Sequence, residues 1–262
     1  MTTTSAAPPA FVPPTGIVPM HVGGRSLLAS DGGTIDAVNP ATGRLIAQIP
    51  AATREDVDAA YEAAAAAFPA WSRTAAPERA RLLHRLADLV DAHGDELAAL
   101  DVMDNGSPIS EMRKDVTIAS MQLRYFAGLI LQLRGETIPT GEGRLNYTLR
   151  QPYGVVARII PFNHPLMFAA ARVAAPLSAG NTVILKPSEH TSLSALRFAE
   201  LAAEVLPPGV LNVVTGWGHT AGDAIVRHPG IRRLSFTGAE GTGRAIVAAA
   251  MSVNVKHVTL EL

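Results

Sequence analysis

The feature that most constrains the fold of this chain is an alternation of short apolar runs with helical segments, which begins at Tyr153. Five such runs occur, at residues 155–160, 182–185, 210–214, 231–236 and 258–260. Short apolar runs separated by helical crossovers are typical of parallel strands that are buried on both faces. The sequence therefore predicts an α/β fold with a doubly wound parallel sheet of Rossmann-like architecture.

The residues before this alternation have a different pattern. Residues 23–50 combine short apolar pieces with turn signals, which is typical of a small antiparallel piece. Thr53, with Asp56 three residues later, predicts the N-cap of a helix and the start of a helical segment. Residues 1–20 are rich in proline and lack the basic start and apolar core of a signal peptide. We expect a flexible tail there and a domain over residues 21–262.

Charge and composition exclude several classes of function. The 22 basic and 23 acidic residues give a net charge of -1, which provides no basic surface for nucleic acid or for a membrane. The longest apolar helical segment is interrupted by Arg172 and is too short to span a bilayer. The sequence contains no cysteine, and its eight histidines show no metal-ligand spacing. We therefore expect a cytoplasmic protein without a metal, a disulfide or a thiol nucleophile.

Polar residues follow the first two apolar runs, at the points where the strands would end. Ligands of open parallel sheets bind beyond these carboxyl ends. Asn163 lies between Pro161 and Pro165, and its carboxamide can donate two hydrogen bonds to an oxyanion. Lys186 and Glu189 follow the second run, and an ammonium beside a carboxylate suits the hydroxyl groups of a ribose. Taken singly, the same residues would also fit a turn and the cap of the next helix.

Two glycine-rich turns and one glutamate follow the later runs. Residues 216–221 match the G-x-G-x-x-A pattern, but outside the first strand-helix unit this match alone is a weak signal. Residues 236–243, FTGAEGTG, predict a strand that ends in a turn and opens a helix, whose free amides suit a pyrophosphate. An ordinary glycine-rich turn would have the same pattern. Glu261 ends the last run, where partial burial would raise its pKa and make it a usable general base, whereas fraying of the chain end would leave it solvated.

The segments PFNHP, LKPSE, FTGAEGTGR and VTLEL, in this order and at these separations, resemble the first half of an NAD(P)-dependent aldehyde dehydrogenase. The resemblance runs from about Gly24 to Leu262. It implies that Asn163 stabilises the oxyanion and that Glu261 activates the hydrolytic water. It also implies a set of cofactor-binding residues, namely Ile160, Pro161, Phe162, Lys186, Ser188, Glu189, Gly218, Gly222, Phe236, Thr237, Gly238, Ala239 and Thr242. The family commonly has serine, which contacts phosphate, where this chain has Ala239.

The same resemblance implies a cofactor and partners. NAD is favoured over NADP because the carboxylate of Glu189 would repel a 2′-phosphate. The parent enzyme would oxidise an aldehyde to a carboxylic acid. Residues 140–151 match the arm that adds strands to a neighbouring subunit, which implies a homo-oligomer, although the residues alone also fit a solvent-facing hairpin.

Three hypotheses about function remain at this stage. Because the family attacks its aldehyde with a cysteine from a second domain, the first is a truncated cofactor-binding portion that is inactive alone. The second is a non-catalytic nucleotide-binding or subunit-interaction module. The third is a chain that barely folds, which the unprotected edge of the last predicted strand suggests.

Overall fold

The computed structural model describes residues 12–262, and its regular elements alternate as the apolar runs predict from residue 153 onward. The strands are β1 (Met20–Val22), β2 (Arg25–Leu27), β3 (Thr34–Val38), β4 (Leu45–Pro50), β5 (Thr137–Ile138), β6 (Asn146–Tyr147), β7 (Val155–Ile159), β8 (Thr182–Lys186), β9 (Leu211–Val213), β10 (Arg233–Thr237) and β11 (His257–Glu261). The helices are α1 (Arg54–Arg73), α2 (Ala76–Ala92), α3 (Gly94–Asn105), α4 (Ile109–Leu129), α5 (Pro165–Ser178), α6 (Leu193–Ala203), α7 (Asp223–Arg227) and α8 (Glu240–Met251).

The central sheet has seven strands in the order β11-β10-β7-β8-β9-β1-β2. The five strands from β11 to β9 are parallel, which confirms the predicted doubly wound sheet, and β1 and β2 extend one edge in antiparallel pairing. The chain passes from β7 to β8 and β9 on one side, and then returns to place β10 and β11 on the other side of β7. This reversal between β7 and β10 is the switch point at which ligands bind in sheets of this kind.

Helices cover both faces of the sheet. Along β7, Val156 packs in the core cluster that contains α2 to α6, whereas Val155 and Ala157 pack in the cluster that contains α1, α7 and α8. Neighbouring side chains of a strand point to opposite faces, so an apolar run that is continuous along the chain is buried on both sides.

The segment before the sheet contains the predicted small antiparallel piece, which is formed by β3 and β4. The predicted cap of α1 is also present, because the Asp56 amide donates to Thr53 Oγ1 and the Thr53 amide donates to Asp56 Oδ2. Residues 1–11 of the predicted tail lie outside the described residues. The remainder is attached to the domain, since Val18 donates to the Gln48 carbonyl oxygen at 2.8 Å and Met20 is buried in β1. The domain therefore begins before the predicted boundary at residue 21.

The predicted arm lies in a segment that projects from the body. Every residue from 131 to 151 is exposed, and β5 and β6 pair only with each other within the described residues. Three alternate apolar residues, Leu145, Tyr147 and Leu149, are 76%, 55% and 69% exposed. This geometry fits both a hairpin and an arm, so association with a neighbouring subunit stays a prediction. Between residues 12 and 262, no helix is long and apolar enough to cross a membrane.

Candidate functional site

A cleft of about 710 Å³ opens at the carboxyl ends of β7, β8 and β10, beside the switch point of the sheet. Every residue of the predicted cofactor-binding set lines this cleft. The set comes from four separate loops of the sequence, and the parallel strands bring these loops to one edge of the sheet. The structure thus brings the predicted residues together, and their binding of a cofactor stays a prediction.

Lys186 and Glu189 form an ion pair on one wall of the cleft, in which Lys186 is buried and Glu189 is half-buried. Lys186 is the last residue of β8 and is 1% exposed, and its Nζ donates to the Pro187 carbonyl oxygen at 3.1 Å and to Glu189 Oε2 at 3.4 Å. Burial lowers the pKa of Lys186, and the carboxylate of Glu189 opposes this effect. Burial acts to raise the pKa of Glu189, but the Lys186 ammonium and an amide of Gly218 outweigh it and hold that pKa below its usual value. Pairing with Lys186 thus favours the carboxylate form of Glu189, whereas burial and pairing act in opposite directions on Lys186.

The start of α8 forms a second wall. Ala239 is the N-cap residue, with φ of -67° and ψ of 142°, and its side chain provides no cap. The first amides of a helix have no partner inside the helix, so those of the first turn of α8 are free for a ligand. Gly238 precedes them, and a Cβ at this position would lie 2.5 Å from the ring of Phe236, so any larger residue would require the ring to shift.

The remaining lining of the cleft includes residues that sequence analysis missed. They are Ile159, His219, Asp223, Val226, Gly241, Ala245, Ile246 and Ala249. Five lining positions lie on α8, and four of them, at residues 242, 245, 246 and 249, have the spacing of one helical face. This periodicity was readable from the sequence once a ligand was expected at the start of α8.

Asn163 lies in the loop between β7 and α5, next to the lining residue Phe162 but outside the cleft. Its side chain is exposed, and the carboxamide has no hydrogen-bond partner within residues 12–262. The backbone of the loop is held by Asn105, whose Nδ2 donates to the carbonyl oxygens of Phe162 and Asn163 at 3.0 Å each. The loop is thus fixed while the carboxamide of Asn163 is free to donate.

Glu261 ends β11 beside Thr237 of β10, and its side chain is 60% exposed and forms an ion pair with Arg172 of α5. Of the two environments expected for Glu261, the structure therefore has the solvated one and not partial burial. The structure does not bring either predicted catalytic residue, Asn163 or Glu261, into the cleft.

The arrangement of the cleft suits a nucleotide with phosphate groups. The Lys186 and Glu189 pair offers both donors and acceptors to ribose hydroxyl groups, and the free amides of α8 attract an anion. Phe162, which is 60% exposed, supplies a flat aromatic surface, and one face of α8 supplies an apolar surface.

Comparisons with known proteins agree with this geometry. The model of the aldehyde dehydrogenase family matches residues 27–262. A Burkholderia cenocepacia protein assigned as an aldehyde dehydrogenase has a solved structure that is 50% identical, with a TM-score of 0.91, and the match covers 93% of this chain and 50% of that one. PnpE, solved from Pseudomonas sp. WBC-3 and also in complex with nicotinamide adenine dinucleotide, is 48% identical with the same coverage and a TM-score of 0.91.

A further solved structure is the NAD⁺ complex of an aldehyde dehydrogenase from Bacillus cereus. It is 42% identical with a TM-score of 0.90, and the match covers 93% of this chain and 50% of that one. The chain therefore spans about half the length of the solved relatives that it matches.

Proposed function

Because the chain belongs to the aldehyde dehydrogenase family, we propose that its cleft binds NAD as part of an oxidoreductase that converts an aldehyde to a carboxylic acid. The observation behind this proposal is that the Lys186 and Glu189 pair and the uncapped start of α8 face one cleft at the switch point of the sheet. Two of the relatives were solved with NAD, which supports the choice of cofactor.

The residues of the cleft fit the parts of NAD. Glu189 and Lys186 would hold ribose hydroxyl groups, and the amides at the start of α8 would hold the pyrophosphate. Gly218 and Gly222 border the space for the adenine. The bound cofactor would accept a hydride from the substrate. Asn163 would donate its amide protons to the aldehyde oxygen, where negative charge develops.

We further propose that this chain does not oxidise aldehydes alone. The family resemblance assigns the attack on the aldehyde to a cysteine thiolate, and this sequence of 262 residues contains no cysteine. An assay of the pure chain with NAD and aromatic and aliphatic aldehydes should show no formation of NADH. Aldehyde-dependent NADH that disappears in Asn163→Ala would contradict this part of the proposal.

The proposed cofactor site is tested by thermal unfolding of the chain with increasing NAD. A ligand that binds only the folded state at 100 times its Kd stabilises that state by about 2.7 kcal/mol. For a chain of this size, this corresponds to a rise of the unfolding midpoint of roughly 5–10 °C. The double variant Lys186→Met and Glu189→Gln should lose most of this rise, because it removes both polar groups from the wall of the cleft.

A matched control comes from a second pair with the same spacing. Glu111 and Lys114 also form an ion pair three residues apart, but they are exposed on α4 and do not line the cleft. The double variant Glu111→Gln and Lys114→Met should therefore keep the full NAD effect. If millimolar NAD does not change the unfolding midpoint of the unaltered chain, the proposed cofactor site is refuted.

The preference for NAD over NADP depends on the charge of Glu189. This carboxylate is half-buried beside Lys186 and would repel a 2′-phosphate, since like charges are weakly screened in a buried site. NADP should therefore raise the unfolding midpoint less than NAD does. In Glu189→Gln, the difference between the midpoint shifts caused by the two cofactors should be smaller. Equal effects of both cofactors on the unaltered chain would contradict this preference.

A homo-oligomer is proposed as a second property, since the segment 131–151 is fully exposed and presents apolar residues on alternate positions of a strand. Light scattering should show an oligomer, and replacing Leu145, Tyr147 and Leu149 by threonine should convert it to a monomer. A monomer in the unaltered chain would remove this second proposal without affecting the cofactor site.

A further inference from the structure

We infer that the last turn of α3 positions two of the four loops of the cleft, those that follow β7 and β8, through the side chains of Asp101, Asp104 and Asn105. This inference rests on the proposed function, because it assigns these residues to the site that would bind NAD. Asp104 and Asn105 come three and four positions after Asp101, so both neighbour it on one face of α3. None of them lines the cleft, so they would act only through the loops that they hold.

The two aspartates cap helices that lack caps of their own. Helix α5 follows the loop that bears Asn163, and α6 follows the loop that begins after Lys186 and bears Glu189. The N-cap residues of α5 and α6 make no side-chain hydrogen bond to their own helices. In their place, the Leu166 amide donates to Asp101 Oδ2 at 3.2 Å, and the Leu193 amide donates to Asp104 Oδ2 at 2.9 Å. One turn of α3 therefore determines where both crossover helices begin.

Asn105 holds the first loop directly. Its Nδ2 donates to the carbonyl oxygens of Phe162 and Asn163 at 3.0 Å each, and its Oδ1 accepts from the amide of Ser107 at 2.8 Å. The contact with Ser107 sets which way the carboxamide faces. Gly106 makes this contact possible, because its φ of 81° lets the chain turn back at the end of α3. Asn105 thus orients both the aromatic wall of the cleft and the residue that would bind the oxyanion.

The burial of the two aspartates shows that simple packing does not explain them. Asp101 and Asp104 are 1% and 4% exposed, and Oδ2 of each accepts the amide at the start of a helix. A carboxyl group taken out of water destabilises a protein relative to an apolar residue of similar volume unless hydrogen bonds compensate. Directional bonds to the starts of α5 and α6 are what the carboxyl groups provide and an apolar residue would not.

The test compares Asn105→Ala, Asp104→Ala and the conservative Asp104→Asn with a control, Asp95→Asn. Asp95 lies at the exposed start of the same helix. It pairs with Arg113 of α4 at 3.1 Å and makes no hydrogen bond to either loop among the described residues. Three quantities are measured for each chain: the unfolding midpoint, the Kd for NAD by calorimetry, and amide hydrogen exchange of peptides over residues 160–168 and 188–196.

We expect Asn105→Ala to raise the Kd for NAD about tenfold, since two hydrogen bonds to one loop are lost. Its exchange should accelerate over residues 160–168 but not elsewhere, and its midpoint should change little because Asn105 lies near the surface. Asp104→Ala should accelerate amide exchange over residues 188–196 and raise the Kd for NAD. Asp104→Asn should have the exchange rate and the Kd of the unaltered chain, because its amide oxygen can still accept from the Leu193 amide. Asp95→Asn should match the unaltered chain.

Two results would overturn the inference. The first is a Kd and local exchange in Asn105→Ala and Asp104→Ala that match those of Asp95→Asn. The second is an acceleration of amide exchange that is equal over the whole chain, or an Asp104→Asn variant whose Kd and local exchange match those of Asp104→Ala. Either result would indicate a role in global stability alone. If the unaltered chain binds no NAD but the two peptides still respond as expected, the proposed cofactor site fails and the positioning role stands.

Discussion

Replacing Ala239 by serine should both stabilise the protein and tighten its binding of NAD. Ala239 is the N-cap of α8, and its extended backbone already has the geometry of a capping residue. Serine in place of alanine at an N-cap contributes about 1 kcal/mol, because its hydroxyl oxygen accepts from a free amide of the first turn. For a chain of this size, that gain raises the unfolding midpoint by about 2–4 °C.

The effect on NAD has a separate origin. While the oxygen of the serine accepts from the helix, its hydroxyl proton can be donated to a phosphate oxygen in the cleft that Ala239 lines. We expect the Kd to fall by about 5- to 10-fold, which corresponds to about 1–1.4 kcal/mol. Calorimetric titration with NAD measures this change, and denaturation without NAD measures the gain from the cap.

Ala75 provides a matched control for this prediction. It is the N-cap of α2, has φ of -57° and ψ of 141°, provides no side-chain cap and does not line the cleft. Ala75→Ser should therefore give a similar gain in stability and no change in the Kd for NAD. If Ala239→Ser stabilises the chain but binds NAD no better than Ala75→Ser does, the start of α8 is not the phosphate site. If it gives no gain in stability while Ala75→Ser does, the geometry of the α8 cap is wrong.

Two further predictions concern buried charges. Burial raises the pKa of Asp104 from 3.8 to about 7, so between about pH 4 and pH 7 the folded chain keeps a proton that the unfolded chain has released. The contribution of Asp104 to the free energy of unfolding therefore falls as pH rises through that window. In urea titrations, the stability of Asp104→Asn relative to the unaltered chain should rise from pH 4 to pH 7 and then level off. A difference in stability that is constant with pH would contradict this. Burial and the charges of Arg233 and Arg172 lower the pKa of Arg158 to about 10, so Arg158→Met should raise the unfolding midpoint at neutral pH by about 2–4 °C. This gain should shrink in high salt, which screens repulsion, and a lower midpoint in calorimetry would refute the argument.

The parallel sheet and the place of the cleft were predictable because they depend on local patterns. Each strand from β7 to β11 is a short apolar run, and the polar residues that line the cleft follow the ends of three of these strands. The capping box of Thr53 and Asp56 was predictable for the same reason, since both partners lie within one helical turn. The antiparallel strands β1 and β2 were not assigned to this sheet, because three-residue strands have no clear period and their place is set by pairing of His21 with Val213.

The ion pair of Glu261 and the role of α3 were not predictable in this way. Whether the end of a strand is covered depends on what packs beside it, and the sequence of β11 contains no signal of the ion pair with Arg172. The caps from Asp101 and Asp104 join residues that are 65 and 89 positions apart in the chain. A capping motif is recognised from the sequence only when the acceptor lies within a few residues of the helix it caps.

The separation between these caps and their helices also has a consequence for the order of folding. Residues of α3 leave the ribosome before those of α5 and α6, and domains are made from the amino terminus onward. The acceptors that complete each crossover helix are therefore in place when that helix is synthesised. We expect a fragment that begins at residue 152 to show frayed starts of α5 and α6 in amide exchange, even where its apolar strands collapse. We therefore expect the amino-terminal helices to provide the contacts that shape the loops of the cleft after β7 and β8.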